Sequence, residues 1–409
     1  MTECTKFLAG AITIAVLASP AVAQTAPADP WATEAVVSRS LGVTRPVFVV
    51  TPDGYQSGSS KYPVLVILDA NDRPQFSLAV ANVAFLASRA AIPPMIVVGI
   101  PNVGDRTHDL TPTPTGKTAK DFPTAGGASA FESFLSDEVL PMIRAKYRTL
   151  PTTILAGHSF GGLVALDVAA QKPGIYQGII AMSPALWWND SSLVEAYATA
   201  MTRSRATQRV FVTSGGLEPD IDRPARAFVK RFETVKPVSV AVGYRGYADD
   251  THGLTPASLA DGLRFVFEPV SMANLPISKL NPSATSAQVV AAVMQTRTLY
   301  ANGARQLGLP TTLPERELNE LGYNIMQSLK SPGLAAWVFQ QNVEMYPESA
   351  NVYDSLGDAL LAKGDTTAAR TAFKRAADVA TSQGRPVAEE TRIKLAALDK
   401  AAAGRKTAK

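Results

Sequence analysis

The sequence predicts an α/β protein in which a mainly parallel sheet has helices on both faces and is followed by a small all-α helical-repeat region. Between residues 31 and 267, short β-branched runs alternate with longer segments of helical period. Several of these runs, such as residues 62–68, are continuously apolar, which is typical of strands buried on both faces. After residue 267 the chain is punctuated by prolines and then becomes Ala-rich and helical.

Residues 1–23 have the pattern of a secretory signal peptide. Lys6 precedes an apolar run over residues 7–18, and Ala21-Val22-Ala23 supplies an A-x-A cleavage site. The run is shorter than the ~20 residues that span a bilayer, although an uncleaved anchor remains the alternative. Cys4 is the single cysteine and lies in this segment, so the mature chain would have no disulfide and no cysteine nucleophile. We expect an exported protein, periplasmic or secreted, with no membrane span in its mature form.

The composition narrows the classes of function. A chain of 409 residues with 46% hydrophobic and 18% charged residues is globular and long enough for two or three domains. The net charge of +4 comes without a Lys/Arg cluster, which does not support nucleic-acid binding. No histidine–carboxylate spacing indicates a metal site, and no G-x-G-x-x-G or P-loop pattern is present. We therefore expect neither a cofactor nor a metal.

The elements of the first domain, residues 31–268, follow in order. Seven strands are predicted at residues 47–50, 62–68, 95–100, 152–156, 178–182, 209–213 and 238–242. Residues 128–147 carry an apolar stripe at helical spacing and precede the fourth of these strands. Further helices are predicted at residues 163–170 and near residues 259–267.

The remaining chain divides into a linker with a helix (269–310), a repeat-like region (311–385) and a C-terminal helix or tail (386–409). Leu321-Gly322 matches Leu356-Gly357 at a spacing of 35, while Phe339 matches Phe373 at 34. This period resembles the tetratricopeptide repeat. Two repeats are fewer than a free-standing solenoid needs, so we expect the region to lean on the first domain or on a protein partner. An ordinary helical hairpin is the alternative.

The strongest local motif is Gly157-His158-Ser159-Phe160-Gly161-Gly162, between a buried strand and a helix. This is the context of a nucleophile elbow in the α/β-hydrolase fold, where a strained turn presents a serine hydroxyl at the edge of the sheet. Small flanking residues let neighbouring elements approach. Ser159 is therefore the predicted nucleophile.

A serine hydroxyl needs a neighbouring base, and the chain has three histidines. His158 is expected to point away from the serine, as a packing and turn residue. His108 precedes Ser159, whereas the usual order in this fold is nucleophile, acid, histidine. His252, in the loop after the last predicted strand, has that order and is the predicted general base.

The acid that orients the imidazole is expected just after the strand at 209–213. Glu218 is the first carboxylate after the glycine turn there, with Asp220 and Asp222 as alternatives. One oxyanion donor is expected to be the backbone N–H of Phe160, and a second that of Ala70 or Asn71. Trp187 and Trp188 follow another strand and are expected either to form a substrate pocket or to belong to the core.

The first domain resembles the Putative esterase family of α/β-hydrolases, which includes siderophore esterases, S-formylglutathione hydrolases and feruloyl esterases. The resemblance rests on the elbow, on residues 61–69 and 105–112, and on Ser183-Pro184-Ala185-Leu186-Trp187-Trp188, which is most similar to the siderophore-esterase branch. It implies Ser159 and His252 as catalytic residues and favours Glu218 as the acid. Ala70 departs from the glycine that many relatives carry.

We therefore expect a serine esterase, similar to siderophore esterases, that hydrolyses a small-molecule carboxylic ester through an acyl-serine intermediate. An acyltransferase with the same acyl-enzyme is one alternative. A non-catalytic binding protein that acts through the helical repeats is another. Fold alone does not select the ester.

Overall fold

One sheet forms the centre of the structure, a computed structural model that describes residues 31–56, 59–253 and 255–407. Within these residues eight strands lie in the order β1-β2-β4-β3-β5-β6-β7-β8. β1 and β2 pair antiparallel, as do β2 and β4, and all other neighbours are parallel. The strands are β1 Ala32–Val37, β2 Thr44–Val50, β3 Tyr62–Leu68, β4 Ile96–Ile100, β5 Thr149–His158, β6 Gly178–Met182, β7 Gln208–Gly215 and β8 Val240–Tyr247. The predicted signal peptide lies outside the described residues.

Helices cover both faces of this sheet, which confirms the predicted fold class. In β3, Val64, Val66 and Leu68 face one core while Leu65 and Ile67 face the other, as the period of a strand requires. The described helices of the first domain are α1 Arg73–Ser88, α2 Arg106–Leu110, α3 Gly116–Asp121, α4 Ala128–Ser133, α5 Leu140–Lys146, α6 Phe160–Gln171, α7 Ser192–Arg203, α8 Pro219–Val235 and α9 Thr255–Phe267. The predicted helix at 128–147 is α4 and α5 joined by a π-helical segment, Phe134–Val139.

An all-helical region follows the sheet domain and shares its core. Its helices are α10 Ser286–Leu307, α11 Glu315–Ser328, α12 Pro332–Met345, α13 Ala350–Ala362, α14 Thr366–Ser382 and α15 Glu389–Thr407. Buried side chains of α10 to α13 belong to the same apolar cluster as Leu65 and Ile67 of the sheet. The Thr152 hydroxyl also donates to the Leu307 carbonyl at 2.7 Å. The helical region therefore packs on one face of the sheet.

Two consecutive helix pairs in this region repeat one contact. A Cβ atom at Gly322 of α11 would overlap the Phe339 ring of α12, and a Cβ at Gly357 of α13 would overlap the Phe373 ring of α14. Each glycine thus lets an aromatic ring lie against the backbone of the preceding helix. No helix in the described part of the chain combines the length and hydrophobicity needed to span a bilayer.

Candidate active site

Ser159 stands at a tight turn between the central strand β5 and helix α6. Its backbone has φ 59° and ψ −118°, a conformation that costs a non-glycine residue about 1–3 kcal/mol. Three backbone hydrogen bonds hold it there. The Ser159 N–H donates to the Met182 carbonyl at 3.0 Å, while the Ser159 carbonyl accepts from Leu163 at 2.9 Å and Ala185 at 3.1 Å. This strained strand–turn–helix geometry is that of a nucleophile elbow.

Two glycines of the motif let helix α6 lie close to the ends of the neighbouring strands. A Cβ at Gly157 would collide with the backbone of Gly161, the second residue of the helix. A Cβ at Gly162 would lie 3.1 Å from the Pro184 Cα, in the segment after β6. Any larger residue at either position would push α6 away from the strand ends, and the serine would move with the helix.

The loop between β8 and α9 brings His252 to the elbow. Its carbonyl lies 2.7 Å from Nε2 of His158, the last residue of β5, and the two imidazole rings are 4.5 Å apart. His252 thus stands beside the residue that directly precedes Ser159. The other histidine, His108, contacts Asp109 through Nδ1 at 3.1 Å, and Asp109 in turn pairs with Arg45 at 2.6 Å.

Glu218 is the carboxylate that faces the His252 ring. Its Oε2 lies 3.3 Å from Nδ1 of His252, and the two side chains are 35% and 32% exposed. The approach lies off the hydrogen-bond direction, so Nδ1 has no hydrogen-bond partner within the described residues. In enzymes, hydrogen bonds of this kind are often long or misaligned before substrate binds.

The two alternative acids are placed elsewhere. Asp222 accepts from Ser214 at 2.6 Å, from Tyr244 at 2.7 Å and from Arg226 at 2.7 Å, so both of its oxygens are occupied. Asp220 is exposed in the first turn of α8. Of the three carboxylates, Glu218 is therefore the one in contact with the imidazole.

Burial and charge favour the neutral form of His252. Burial lowers the pKa of His252, and the Arg106 guanidinium lowers it further, while the Glu218 carboxylate acts in the opposite direction. The net pKa shift is downward. A neutral imidazole is the form that accepts a proton from a serine hydroxyl.

The N–H of Phe160 is well placed to serve as an oxyanion donor, but that of Ala70 is not. Phe160 is the first residue of α6, and the first N–H groups of a helix have no partner within it. The Ala70 N–H donates to the Ile100 carbonyl at 3.1 Å and is therefore occupied. The expectation for Ala70 is corrected accordingly, and Asn71 is the remaining candidate from this loop.

Arg106 is a further residue at this site, one that the sequence does not predict. Its guanidinium donates to both carboxylate oxygens of Asp69, at 2.6 and 2.8 Å, and to the His158 carbonyl at 3.2 Å. It also lies 5.6 Å from the centre of the Phe160 ring. One side chain thus connects the ends of β3 and β5 to the start of α6. Arg106 lies within residues 105–112, a segment that carries part of the resemblance to the family, and this is the sequence signal that points to it.

The paired tryptophans have different environments. Trp188 is fully buried, and its Nε1 donates to the Pro112 carbonyl at 3.2 Å. Trp187 is partly exposed and lines an open cleft of about 700 Å³ together with Lys117, Asp190, Asp220 and Arg223. The Trp187 ring lies 5.9 Å from that of Phe160 and 5.9 Å from that of Phe122. Trp188 is therefore core, while Trp187 forms an aromatic wall beside the elbow.

Comparison with known proteins identifies the family. The Putative esterase family matches residues 38–251. The chain is 25% identical to the ferri-bacillibactin esterase BesA of Bacillus subtilis over 254 residues, which cover 57% of this chain and 88% of the relative. It is 30% identical to the siderophore triacetylfusarinine C esterase of Aspergillus fumigatus over 194 residues, which cover 44% of this chain and 65% of that protein.

Solved structures show the same fold. An IroE-like serine hydrolase from Shewanella oneidensis superposes with a TM-score of 0.64 at 23% identity, covering 77% of this chain and 99% of its own. An uncharacterised protein from Capnocytophaga ochracea superposes with a TM-score of 0.59 at 15% identity, covering 90% of this chain and 99% of its own. Since the family match extends over more than half of the chain and ends at the loop that carries His252, the chain belongs to the Putative esterase family of α/β-hydrolases.

Proposed function

We propose that the protein is a serine esterase in which Ser159 is the nucleophile, His252 the general base and Glu218 the acid that orients it. The observation that carries the proposal is the strained Ser159 at the elbow, with the His252–Glu218 pair brought to the same strand end. The pKa of His252, lowered by burial, keeps the imidazole able to accept a proton near neutral pH.

The reaction has two balanced steps. Ser159 Oγ attacks the ester carbonyl while the His252 imidazole takes the hydroxyl proton, and the Phe160 N–H stabilises the oxyanion. Collapse of this intermediate releases the alcohol, which takes that proton from His252, and leaves the acyl group on Ser159. Water, deprotonated by His252, then attacks the acyl-enzyme, and collapse of this second intermediate releases the acid while the serine oxygen takes the proton back from His252. Glu218 stabilises the imidazolium in both steps.

For the substrate we propose an ester whose acyl part carries an aromatic ring, as in an ester-linked catecholate siderophore. The support is the aromatic wall of Trp187, Phe160 and Phe122 beside the elbow. Such rings favour flat, apolar groups through stacking and burial. The charged side chains of the cleft, Lys117 and Arg223 against Asp190 and Asp220, balance each other, so they select no net charge.

The test compares the purified mature protein with its Ser159→Ala variant. The wild type is expected to release p-nitrophenol from p-nitrophenyl acetate and to open an ester-linked siderophore, with products followed by mass spectrometry. The variant should be reduced to the background rate. Equal rates in both proteins would refute the proposal. Acylated acceptor in place of free acid, when alcohols or amines are added, would indicate a transferase.

We also propose that the protein is exported, on the basis of the pattern in residues 1–23. Expression of the full chain in a Gram-negative host should place the esterase in the periplasmic fraction, with Gln24 as its first residue by N-terminal sequencing. A full-length cytoplasmic protein would refute this.

A further inference from the structure

We propose that His158 is a positioning residue, which holds the backbone of His252 at the nucleophile elbow through its Nε2–H group. The inference goes beyond the proposed function and rests on it in one respect, namely the role of His252 as general base. His158 takes no part in the proposed reaction steps. Its partner is the main chain of the catalytic histidine.

The hydrogen bond defines the protonation of His158. Nε2 lies 2.7 Å from the carbonyl oxygen of His252, within the range of a normal hydrogen bond. A carbonyl oxygen only accepts, so the proton must be on Nε2 of His158. The rings are 4.5 Å apart and tilted by 50°, which places the imidazoles side by side.

The loop of His252 is held on two sides, and His158 supplies the side next to Ser159. On the β7 side, the Leu217 N–H donates to the Asp250 carbonyl at 3.1 Å. At Gly215 the missing Cβ lets the Thr251 carbonyl approach the strand. On the β5 side, the His158 ring binds the next residue, His252. Loss of this donor would release the imidazole on the side where it must meet the serine.

His158 is itself rigidly placed. It is the last residue of β5, and its carbonyl accepts from Arg106 at 3.2 Å. Burial lowers the pKa of His158, as do the charges of His252 and Arg106, while the Asp69 carboxylate and the bond to His252 act in the opposite direction. The ring therefore stays neutral, and it does not repel the imidazolium that forms on His252 during each step.

The first test is a measurement on the wild-type protein. The mature protein is labelled with ¹⁵N-histidine, and the tautomers of its three histidines are read by NMR at pH 7. Resonances are assigned with His108→Gln and His252→Gln. We expect His158 as the neutral Nε2–H tautomer, with its proton shifted downfield by the short hydrogen bond. An Nδ1–H tautomer, or a doubly protonated ring, would overturn the inference.

The second test separates the donor from the volume of the side chain. In His158→Gln the amide nitrogen stands as many bonds from Cβ as Nε2 does, whereas His158→Met has similar length and no donor. One lost hydrogen bond predicts about a tenfold lower kcat in the Met variant with KM within about twofold, and kcat within about threefold of wild type in the Gln variant. The rate at which a fluorophosphonate labels Ser159 should follow the same order.

Thermal melts of both variants show whether they fold. Full activity of the Met variant would overturn the inference, as would an equal loss in the Gln and Met variants, because the effect would then come from packing. If neither variant folds, the tautomer measured in the wild type decides. A wild type that hydrolyses no ester would refute the proposed function, whereas the wrong tautomer would refute only the role of His158.

Discussion

A buried carboxyl pair beneath the nucleophile helix makes the stability of this protein pH dependent. Glu132 of α4 is 3% exposed and hydrogen-bonds Asp167 of α6, which is 7% exposed. Burial and the charge of Asp167 raise the pKa of Glu132 to about 8, and Lys172 offsets only part of this. Burial also raises the pKa of Asp167, despite its hydrogen bonds. The pair therefore retains a proton at neutral pH.

The sign of the effect follows from linkage. A carboxyl group whose pKa is raised on folding contributes stability that is fully present below its unfolded pKa and is lost as the pH rises through its folded pKa. For Glu132 this window runs from about 4.3 in the unfolded chain to about 8 in the fold. At about 1.4 kcal/mol per pH unit, the window corresponds to about 5 kcal/mol.

The perturbation is Glu132→Gln, which removes the titration and keeps a donor for Asp167. Wild type and variant should have similar melting temperatures at pH 5, measured by differential scanning fluorimetry. At pH 9 the variant should melt higher by about 5–10 °C. About 1 kcal/mol shifts the melting temperature by about 2–4 °C in proteins of 150–250 residues, and by about half as much in a chain of 409 residues. Between pH 5 and pH 9 the melting temperature of the variant should therefore fall less than that of the wild type.

A matched control lies six residues further along the same helical segment. The pKa of Glu138 is lowered on folding. Burial alone would raise this pKa, but the hydrogen bonds that the carboxylate accepts from Ser38, Ser40 and Arg39 outweigh the effect of burial. Glu138 therefore stabilises the fold above its unfolded pKa, and Glu138→Gln should lose stability at neutral pH and gain none at pH 9. If wild type and Glu132→Gln show parallel melting temperatures from pH 5 to pH 9, the assignment of the proton to this pair is wrong.

Three further outcomes are expected. Glu218→Gln should lower kcat/KM by about a thousandfold or more. In the same assay the kcat/KM of Asp222→Asn should stay within about tenfold of the wild-type value, because Asp222 does not face His252. Equal losses would contradict the choice of Glu218 as the acid. In the pH profile of kcat/KM, the acidic limb should have its midpoint below about pH 6.5, because burial lowers the pKa of His252. Arg106→Gln should move that midpoint upward, because the Arg106 charge also lowers this pKa. A midpoint above pH 7 in the wild type would count against the assignment of His252. Truncation after residue 275 should abolish cooperative unfolding. The buried side chains of Val289, Val293 and Leu307 in α10 each contribute about 1.5–3 kcal/mol to the core, and the whole fold is stable by only about 5–15 kcal/mol. An unchanged thermal transition would show that the sheet domain folds alone.

The strands that could be predicted are those with a continuous apolar run. Residues 62–68 and 178–182 coincide with β3 and β6 because these strands are buried on both faces, so composition alone marks them. β1 was not predicted, because it is an edge strand with mostly exposed residues and no apolar run. β8 begins at Val240, two residues after the predicted start, since Val238 is fully exposed.

Within the site, residues fixed by local sequence were easier to predict than those fixed by long-range contacts. The elbow needs glycines at fixed offsets from Ser159, so the motif itself carries the geometry. Arg106 acts through Asp69, 37 positions earlier, and nothing in the local sequence of either residue indicates the pair. The tryptophans are adjacent in sequence, and both rings contact Phe122 and Phe160. Only the wider tertiary packing, which the local sequence does not indicate, separates the buried Trp188 from the partly exposed Trp187.

The free-energy cost of the strained Ser159 conformation is comparable to the stabilisation from the contacts that hold it. The backbone conformation costs about 1–3 kcal/mol, and the three backbone hydrogen bonds at Ser159 contribute about 0.5–1.5 kcal/mol each. Arg106 also connects the ends of β3 and β5, because it binds both the Asp69 carboxylate and the His158 carbonyl. The elbow is therefore stable without substrate. In the proposed mechanism, binding energy from an ester is then available to align the Glu218 carboxylate with His252 Nδ1, which lies 3.3 Å from it without hydrogen-bond geometry in the free protein.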